Sequence, residues 1–365
     1  MKKLIPFFLL VIVLFACKKE ESNNIIWEKS LGQGNAFFIE SSRDSGILSC
    51  GVLSGKPYLV KFNKEKSFET DYTSDRIGLF TSAWSDQSGY IAAGSSGGKM
   101  LLACIGNDGN KVWDTTIIAS FSLDITSLID KGSGNFLAVG SASPDSSDSG
   151  DTEILFVKFN KAGQINRKEE TISTVSSFMS ASNATADAAG NIYLALTRKT
   201  GSQKPKAIIV KYNSDLQKLW ETELYNNPAF TAVCYDASAD GSGSIYVTGK
   251  TEASNLSGTL NNSFLGSVSK TGVVNWKKYM ENSNSGSSVI INGTEEVFML
   301  NRSCLIIRKA ISIDGSDAGI IRMYSECDSY TTDAFGSDMN LDHEGNILIA
   351  GSQGGKFYLA LKSSQ

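Results

Sequence analysis

Residues 187–224 read DAAGNIYLALTRKTGSQKPKAIIVKYNSDLQKLWETEL. A turn containing Asp187, Gly190 and Asn191 opens into an apolar run, IYLAL from Ile192, and a polar loop then leads to a second, AIIVKY from Ala207. A second turn, NSDLQ, precedes a segment carrying Trp220. Asp and Asn side chains bond the backbone a few residues on, and Gly supplies positive φ, so both turns have the chemistry of tight hairpins. Short, near-continuous apolar runs between such turns predict strands buried on both faces.

The same grammar recurs outward in both directions. Runs equivalent to IYLAL begin at Ile47, Tyr90, Phe136, Ile245, Val297 and Ile347, giving seven in all at intervals of 43 to 56 residues. Turn acids Asp44, Asp86, Asp130, Asp240 and Asp342 precede five of these, and a GTEE turn at Gly293 precedes the run from Val297. Runs equivalent to AIIVKY include ILFVKFN from Ile154 and FYLALKSS from Phe357. Four-stranded propeller blades take roughly 40–50 residues plus variable loops, so the expected fold is all-β, a seven-bladed β-propeller over residues 25–365. Trp113, Trp220 and Trp276 each follow the second turn of their unit. A ring there packs between neighbouring blades, burying about 150–250 Å².

The last unit reaches Gln365 directly after its third strand, whereas IIWEKSL at 25–31 has the pattern of a fourth strand, with Trp27 at the Trp position. The expectation is that this N-terminal strand completes the last blade and removes two open sheet edges. The turns NDGNKVW at 107–113, FNKAGQINR at 159–167 and VSKTGVVNW at 268–276 resemble those of bacterial propellers with PQQ-like or related repeats. The resemblance covers residues 25–365 and implies a fold, not an activity.

Lys2 and Lys3 precede an unbroken apolar stretch from Leu4 to Phe15, and Ala16-Cys17 follows. Such a stretch is too short for a membrane span of about 20 residues and has the layout of a signal peptide. The small residue before Cys17 resembles a lipobox, although Phe15 departs from the small or β-branched residue usual there. This implies a leader at 1–16, lipidation of Cys17 and a tether at 17–24. Lys19-Glu20-Glu21 resembles the export signal of surface lipoproteins in some Gram-negative bacteria. The expected address is the outer membrane, with the cell surface favoured over the periplasmic side.

Loss of Lys2 and Lys3 with the leader takes the formal net charge from −4 to −6, a balance without the phosphate-neutralising surface that nucleic-acid binding needs. Cys50, Cys104, Cys234, Cys304 and Cys327 are odd in number and widely scattered, which is not a disulfide framework, so core positions are expected. The single histidine, His343, falls in a DHEGN turn, and there is no CxxC, GxSxG or P-loop. No zinc site, nucleophile triad or cofactor is expected. A propeller glycosidase needs two carboxylates about 5–9.5 Å apart, and neither such a pair nor a quinone-stacking set is legible.

The connections on the face away from the Asp-rich turns are expected to be long and variable, the usual place for binding. Residues 141–153, 197–206 and 250–262 stand out. Asp145, Asp148 and Asp151 of the first lack the DxDxDG spacing of a calcium loop, so a solvated loop is expected there. Arg198 and Lys199 of the second, together with Tyr72, Phe121, Tyr225, Phe230, Tyr324 and Tyr330, make up the expected binding face. Aromatics rimmed by mixed charge suit a protein interface. The expected function is a non-enzymatic envelope lipoprotein that binds a protein partner in an outer-membrane complex. A glycan-binding role in nutrient uptake, or a sugar-active or quinone-dependent propeller enzyme, are the alternatives.

Overall fold

The computed structural model describes residues 24–117, 122–143, 153–170, 177–200, 202–224, 230–255, 258–280, 285–293, 296–301, 305–322 and 334–364. No helix occurs among them. The strands are β1 (Ile25–Ser41), β2 (Ile47–Leu53), β3 (Lys56–Phe62) and β4 (Phe68–Thr73), followed by β5 (Leu79–Asp86), β6 (Gly89–Ser96), β7 (Lys99–Ile105) and β8 (Lys111–Ile117). Next come β9 (Ser122–Asp130), β10 (Asn135–Ser143), β11 (Glu153–Asn160), β12 (Ile165–Glu170), β13 (Ser177–Ala186), β14 (Ile192–Thr200), β15 (Lys206–Tyr212) and β16 (Lys218–Glu223). The remainder are β17 (Phe230–Ala239), β18 (Ile245–Asn255), β19 (Gly258–Val268), β20 (Val274–Met280), β21 (Gly286–Asn292), β22 (Glu296–Asn301), β23 (Ile306–Ile311), β24 (Asp317–Arg322), β25 (Ala334–Leu341), β26 (Ile347–Gln353) and β27 (Lys356–Lys362).

These strands form six antiparallel sheets: five of four strands (β5–β8, β9–β12, β13–β16, β17–β20, β21–β24) and one of seven, in the order β25-β26-β27-β1-β2-β3-β4. The seven-stranded sheet arises because β1 does two jobs. From Ile25 to Gln33 it pairs with β27, and from Gly34 to Ser41 it pairs with β2. The N-terminal strand therefore docks on the C-terminal one as expected. It then runs on without a break into the next unit's first strand.

Second and third strands of the units are mostly buried on both faces, β23 excepted, and their side chains fill the gaps between consecutive sheets. Leu137 and Phe156 of one sheet, for example, meet Leu194 and Tyr212 of the next in a single core cluster. The tryptophans behave as their positions predict. Trp113, Trp220 and Trp276 donate their indole N–H to the carbonyls of Lys161, Lys270 and Ser312, each in the turn of the following sheet, at 2.8–3.0 Å. Trp27 instead meets Phe62 edge-on at 5.0 Å. Gly315 (φ 68°) sits against Trp276, where a β-carbon would fall 2.5 Å from the ring.

Aspartates of the first turns close those turns. Asp86, Asp130, Asp187, Asp240 and Asp342 each accept a backbone N–H two residues on through Oδ1, at 2.7–3.0 Å. His343 sits in one of these turns, 3.0 Å from the Ser42 carbonyl. Cys50, Cys104 and Cys234 are free and buried, as core positions require, while Cys304 and Cys327 lie outside the described residues.

Three expectations about the opposite face need correction. Its connections are not uniformly long: β2–β3, β6–β7 and β26–β27 are joined by the two-residue turns Ser54-Gly55, Gly97-Gly98 and Gly354-Gly355, all at positive φ. That is the type I′ geometry whose twist suits a hairpin. Residues 250–262 belong mainly to a long β18–β19 hairpin, paired out to Asn255 and Gly258, rather than to a loose loop. Tyr72, expected on that face, lies in β4 at 9% exposure and packs on Phe80 of the next sheet. An apolar ring beside an intersheet gap is drawn into it.

Candidate functional site in the central channel

Each unit's first strand (β1, β5, β9, β13, β17, β21 and β25) breaks register once against its neighbour. The extra residues are Phe37, Thr81, Thr126, Ser182, Tyr235, Ser287 and Ser337. A β-bulge re-aims side chains and leaves backbone groups outside the ladder. Here the bulges ring a central cavity of about 310 Å³ whose lining is drawn from all seven of these strands.

After four of the bulges the next residue, Ser127, Asp236, Ser288 or Asp338, accepts a backbone N–H from the first strand of the following unit. Ser127 Oγ accepts the Ala184 N–H from the next sheet (2.8 Å) and donates to Asn183 Oδ1 (2.8 Å). Asn183 Nδ2 donates in turn to Asp236 Oδ1. Asp236 Oδ2 accepts the Val289 N–H (2.7 Å), and Asp338 Oδ2 accepts the Ile39 N–H (2.9 Å). Ser288 Oγ accepts the Met339 N–H (3.2 Å). A polar girdle thus runs along the channel wall from β9 through β13, β17, β21 and β25 to β1. It satisfies N–H groups whose burial without partners would cost about 1–3 kcal/mol each.

The girdle has one chemically uneven step. Ser288 Oγ lies 2.9 Å from Asp236 Oδ2 and 3.1 Å from Asp338 Oδ1, but a hydroxyl has one proton to donate. Both contacts are hydrogen bonds only when one carboxyl brings its own proton. Burial, and then the charge of Asp338, push Asp236 up to about 8. Burial pushes Asp338 up to about 6 against the pull of its N–H partners. Burial thus favours a shared proton on this pair at neutral pH.

Glu40 of β1 pairs with Leu48, just as Thr185, Ser238 and Asn340 pair with the second residue of their neighbouring strands. Those three line the cavity, whereas Glu40 shares their register position but not their place in its lining. Burial first, then the charges of Asp338 and Asp130, raise its carboxyl to about 8, with Arg43 acting in the other direction. No Lys, Arg or His lines the cavity among the described residues.

The residues expected at the binding face are only partly brought together. Arg198 lies in β14 and is held by Glu221 at 2.5 Å; Lys199 follows it, partly exposed. Phe230 begins β17, and its side chain is not among those described. Cys17, Phe121, Tyr225, Tyr324, Tyr330, Asp145, Asp148 and Asp151 lie outside the described residues. Among the described residues, no group of His, Cys, Asp and Glu is disposed to hold a metal ion. Sequence reasoning missed Ser288, Asp236 and Asp338. The available signal was a Ser, Asn or Asp four residues ahead of the turn residue, seen at Ser82, Asn183, Asp236, Ser288 and Asp338.

No protein-family model matches the chain, and no curated protein does. Solved structures do, with propellers among them. The U3-55K structure aligns at TM-score 0.59 and 10% identity over 92% of this chain and 98% of that one. The polysaccharide lyase Uly1 aligns at 0.58 and 10% identity over 94% and 100%. YCF48 bound to a D1 peptide aligns at 0.56 and 11% identity over 95% and 100%. At such identities the likeness concerns the fold alone: this chain is a β-propeller.

Proposed function

We propose that the chain is a non-catalytic binding propeller of seven blades, the seven-stranded sheet being two blades spliced by β1. It is a lipoprotein anchored at Cys17 in the outer membrane, displayed at the cell surface, and it holds a protein partner on the face opposite the Asp-rich turns. The observation that carries this reading is the uneven relief of that face. The β2, β6 and β26 hairpins turn after strands of 7 or 8 residues, whereas β18 and β19 each run for 11. The β18–β19 hairpin therefore extends by several residues, about 10 Å at the rise of a strand. The neighbouring β14, with 9 residues, presents Arg198 and Lys199 beside it.

A ridge on a rigid ring gives a partner an edge to grip. The same fold holds a D1 peptide in YCF48, which supports a peptide or protein as the occupant here. Glycan stacking by Trp113, Trp220 and Trp276 is disfavoured because their indoles are engaged between sheets. A photoreactive residue at Lys199, crosslinked in intact cells, is expected to give one dominant protein adduct. Absence of any protein adduct, together with retardation on a polysaccharide affinity gel, would replace this reading with glycan binding.

A further inference from the structure

We propose that the hollow between the first two units, on the Asp-rich turn face, binds a neutral sugar unit through the buried hydroxyls of Tyr90 and Ser85. It lies opposite the β18–β19 ridge and does not depend on a partner there.

The hollow follows from two exchanged residues. Between the second and third units the corresponding gap is filled: Trp84 meets Phe136 edge-on at 4.8 Å, and Lys161 crosses to Asp86 and Ser88, its ammonium 5.4 Å from the Trp84 ring. One unit earlier, Glu40 holds the register place of Trp84, each pairing with the second residue of its neighbouring strand's apolar run. Asn107 holds the turn place of Lys161, each following the residue whose carbonyl accepts the turn's glycine N–H. Asn107 donates to the Gln87 carbonyl instead of crossing between units. A cavity of about 260 Å³, lined from both units, is left.

Two hydroxyls point to a ligand. Tyr90 takes the place that Ile47, Phe136, Ile192, Ile245, Val297 and Ile347 hold in the other units, so packing alone asks for no hydroxyl there. It is 3% exposed and lines the cavity. Buried Tyr58, Tyr193, Tyr246 and Tyr358 donate to Asp71, Asp187, the Ser312 carbonyl and Glu28, whereas the Tyr90 hydroxyl has no partner among the described residues. Burial, then the charges of Glu69 and Asp44, raise it to about 12. Both carboxylates line the same cavity, so the hydroxyl is protonated and set beside them. Ser85, 6% exposed, is also in the lining, and its hydroxyl likewise has no partner among the described residues. Burying a hydroxyl without a partner is costly, and a ligand that bonds both removes the cost.

Charge fixes the class of ligand. Every charged residue of the lining is engaged: Lys61 with Asp44 and Glu69 at 2.7 and 3.1 Å, Asp86 with Lys161, and Arg43 with Asp130. An ion would have to compete with one of these pairs. The remaining capacity lies in the two hydroxyls, the Gln87 amide and Glu69 Oε1, since Lys61 is bonded to Oε2. A sugar hydroxyl both donates and accepts, which suits this mixture. The volume is several times the roughly 30 Å³ share of one water, room for one sugar ring.

The test is calorimetry on the protein at pH 7 with glucose, galactose and mannose as probes, and glucosamine and glucose 6-phosphate as charged counterparts. The expected result is saturable binding of at least one neutral hexose with a dissociation constant of about 1 mM, and no tighter binding of the charged forms. Tyr90→Phe keeps the ring and removes only the hydroxyl. It is expected to weaken binding about tenfold while its melting temperature stays equal or rises, because the hydroxyl has no protein partner to lose. Any of four results would overturn the proposal: no binding of the three hexoses up to about 50 mM, unchanged binding in Tyr90→Phe, a lowered melting temperature in that variant, or a charged form binding about tenfold tighter than glucose.

Discussion

Asp236 is a carboxylic acid that the ring prefers to keep protonated. Its ordinary value is 3.8 and its folded value about 8, so the folded chain holds a proton that the unfolded chain releases above about pH 4. Its contribution to stability is complete below that point and is lost as pH rises through about 8. Asparagine does not mimic the protonated acid here, because an amide nitrogen at the Oδ2 position cannot accept the Val289 N–H. Asp236→Asn is expected to flatten the pH dependence between 5 and 8 and to cost about 1–3 kcal/mol at pH 5, measured by urea unfolding at a series of pH values. Glycines separate in the same way. Gly315→Ala combines a φ of 68° with a collision against Trp276 and is expected to cost about 3 kcal/mol. Gly55→Ala has a φ of 77° but open space around it and is expected to cost only about 1 kcal/mol.

Among the elements, the second and third strands were legible because burial on both faces leaves an apolar run with no other explanation. The runs from Ile192 and Ala207 became β14 and β15 nearly residue for residue. The first strands were harder to read. A bulge is an event of backbone register, and Phe37, Thr81, Ser182 and Tyr235 share no side-chain property that announces one. The girdle was illegible for a related reason: Asp338 looks like another turn acid until the fold shows its oxygens facing the adjacent sheets. The double pairing of β1 was half visible, since IIWEKSL has the look of an outer strand but nothing in NAFFIES marks its unbroken continuation. Trp27→Ala tests the seam. Loss of the Phe62 contact is expected to cost about 3 kcal/mol, and deletion of 25–33 to expose the β27 edge and cause aggregation visible by light scattering.

Taken whole, the molecule has two sets of acids that titrate in opposite senses. At the turns, burial works against Asp44, but hydrogen bonds from Lys61, Ser42 and the Gly46 N–H outweigh it and hold that carboxyl at about 2; Asp86 and Asp187 are lowered in the same manner. Their contribution is present above about pH 4 and fades on acidification. In the channel Asp236, and nearby the buried Glu40, lose their contribution as pH rises through about 8. The melting temperature is therefore expected to peak between about pH 4 and 6 and to fall by several degrees at pH 9. A profile still rising at pH 8 would mean that the channel acids are ionised throughout.

Continuity of β1 also decides how the ring answers a mechanical load. A pull on the N-terminus enters at Ile25 and travels along a strand bonded to β27 over its first half and to β2 over its second. Tension then acts in shear on two ladders at once, one on each side of the ring's seam, and cannot unzip them one bond at a time. A ring sewn shut by its own leading strand grips its closure where a tether would draw on it.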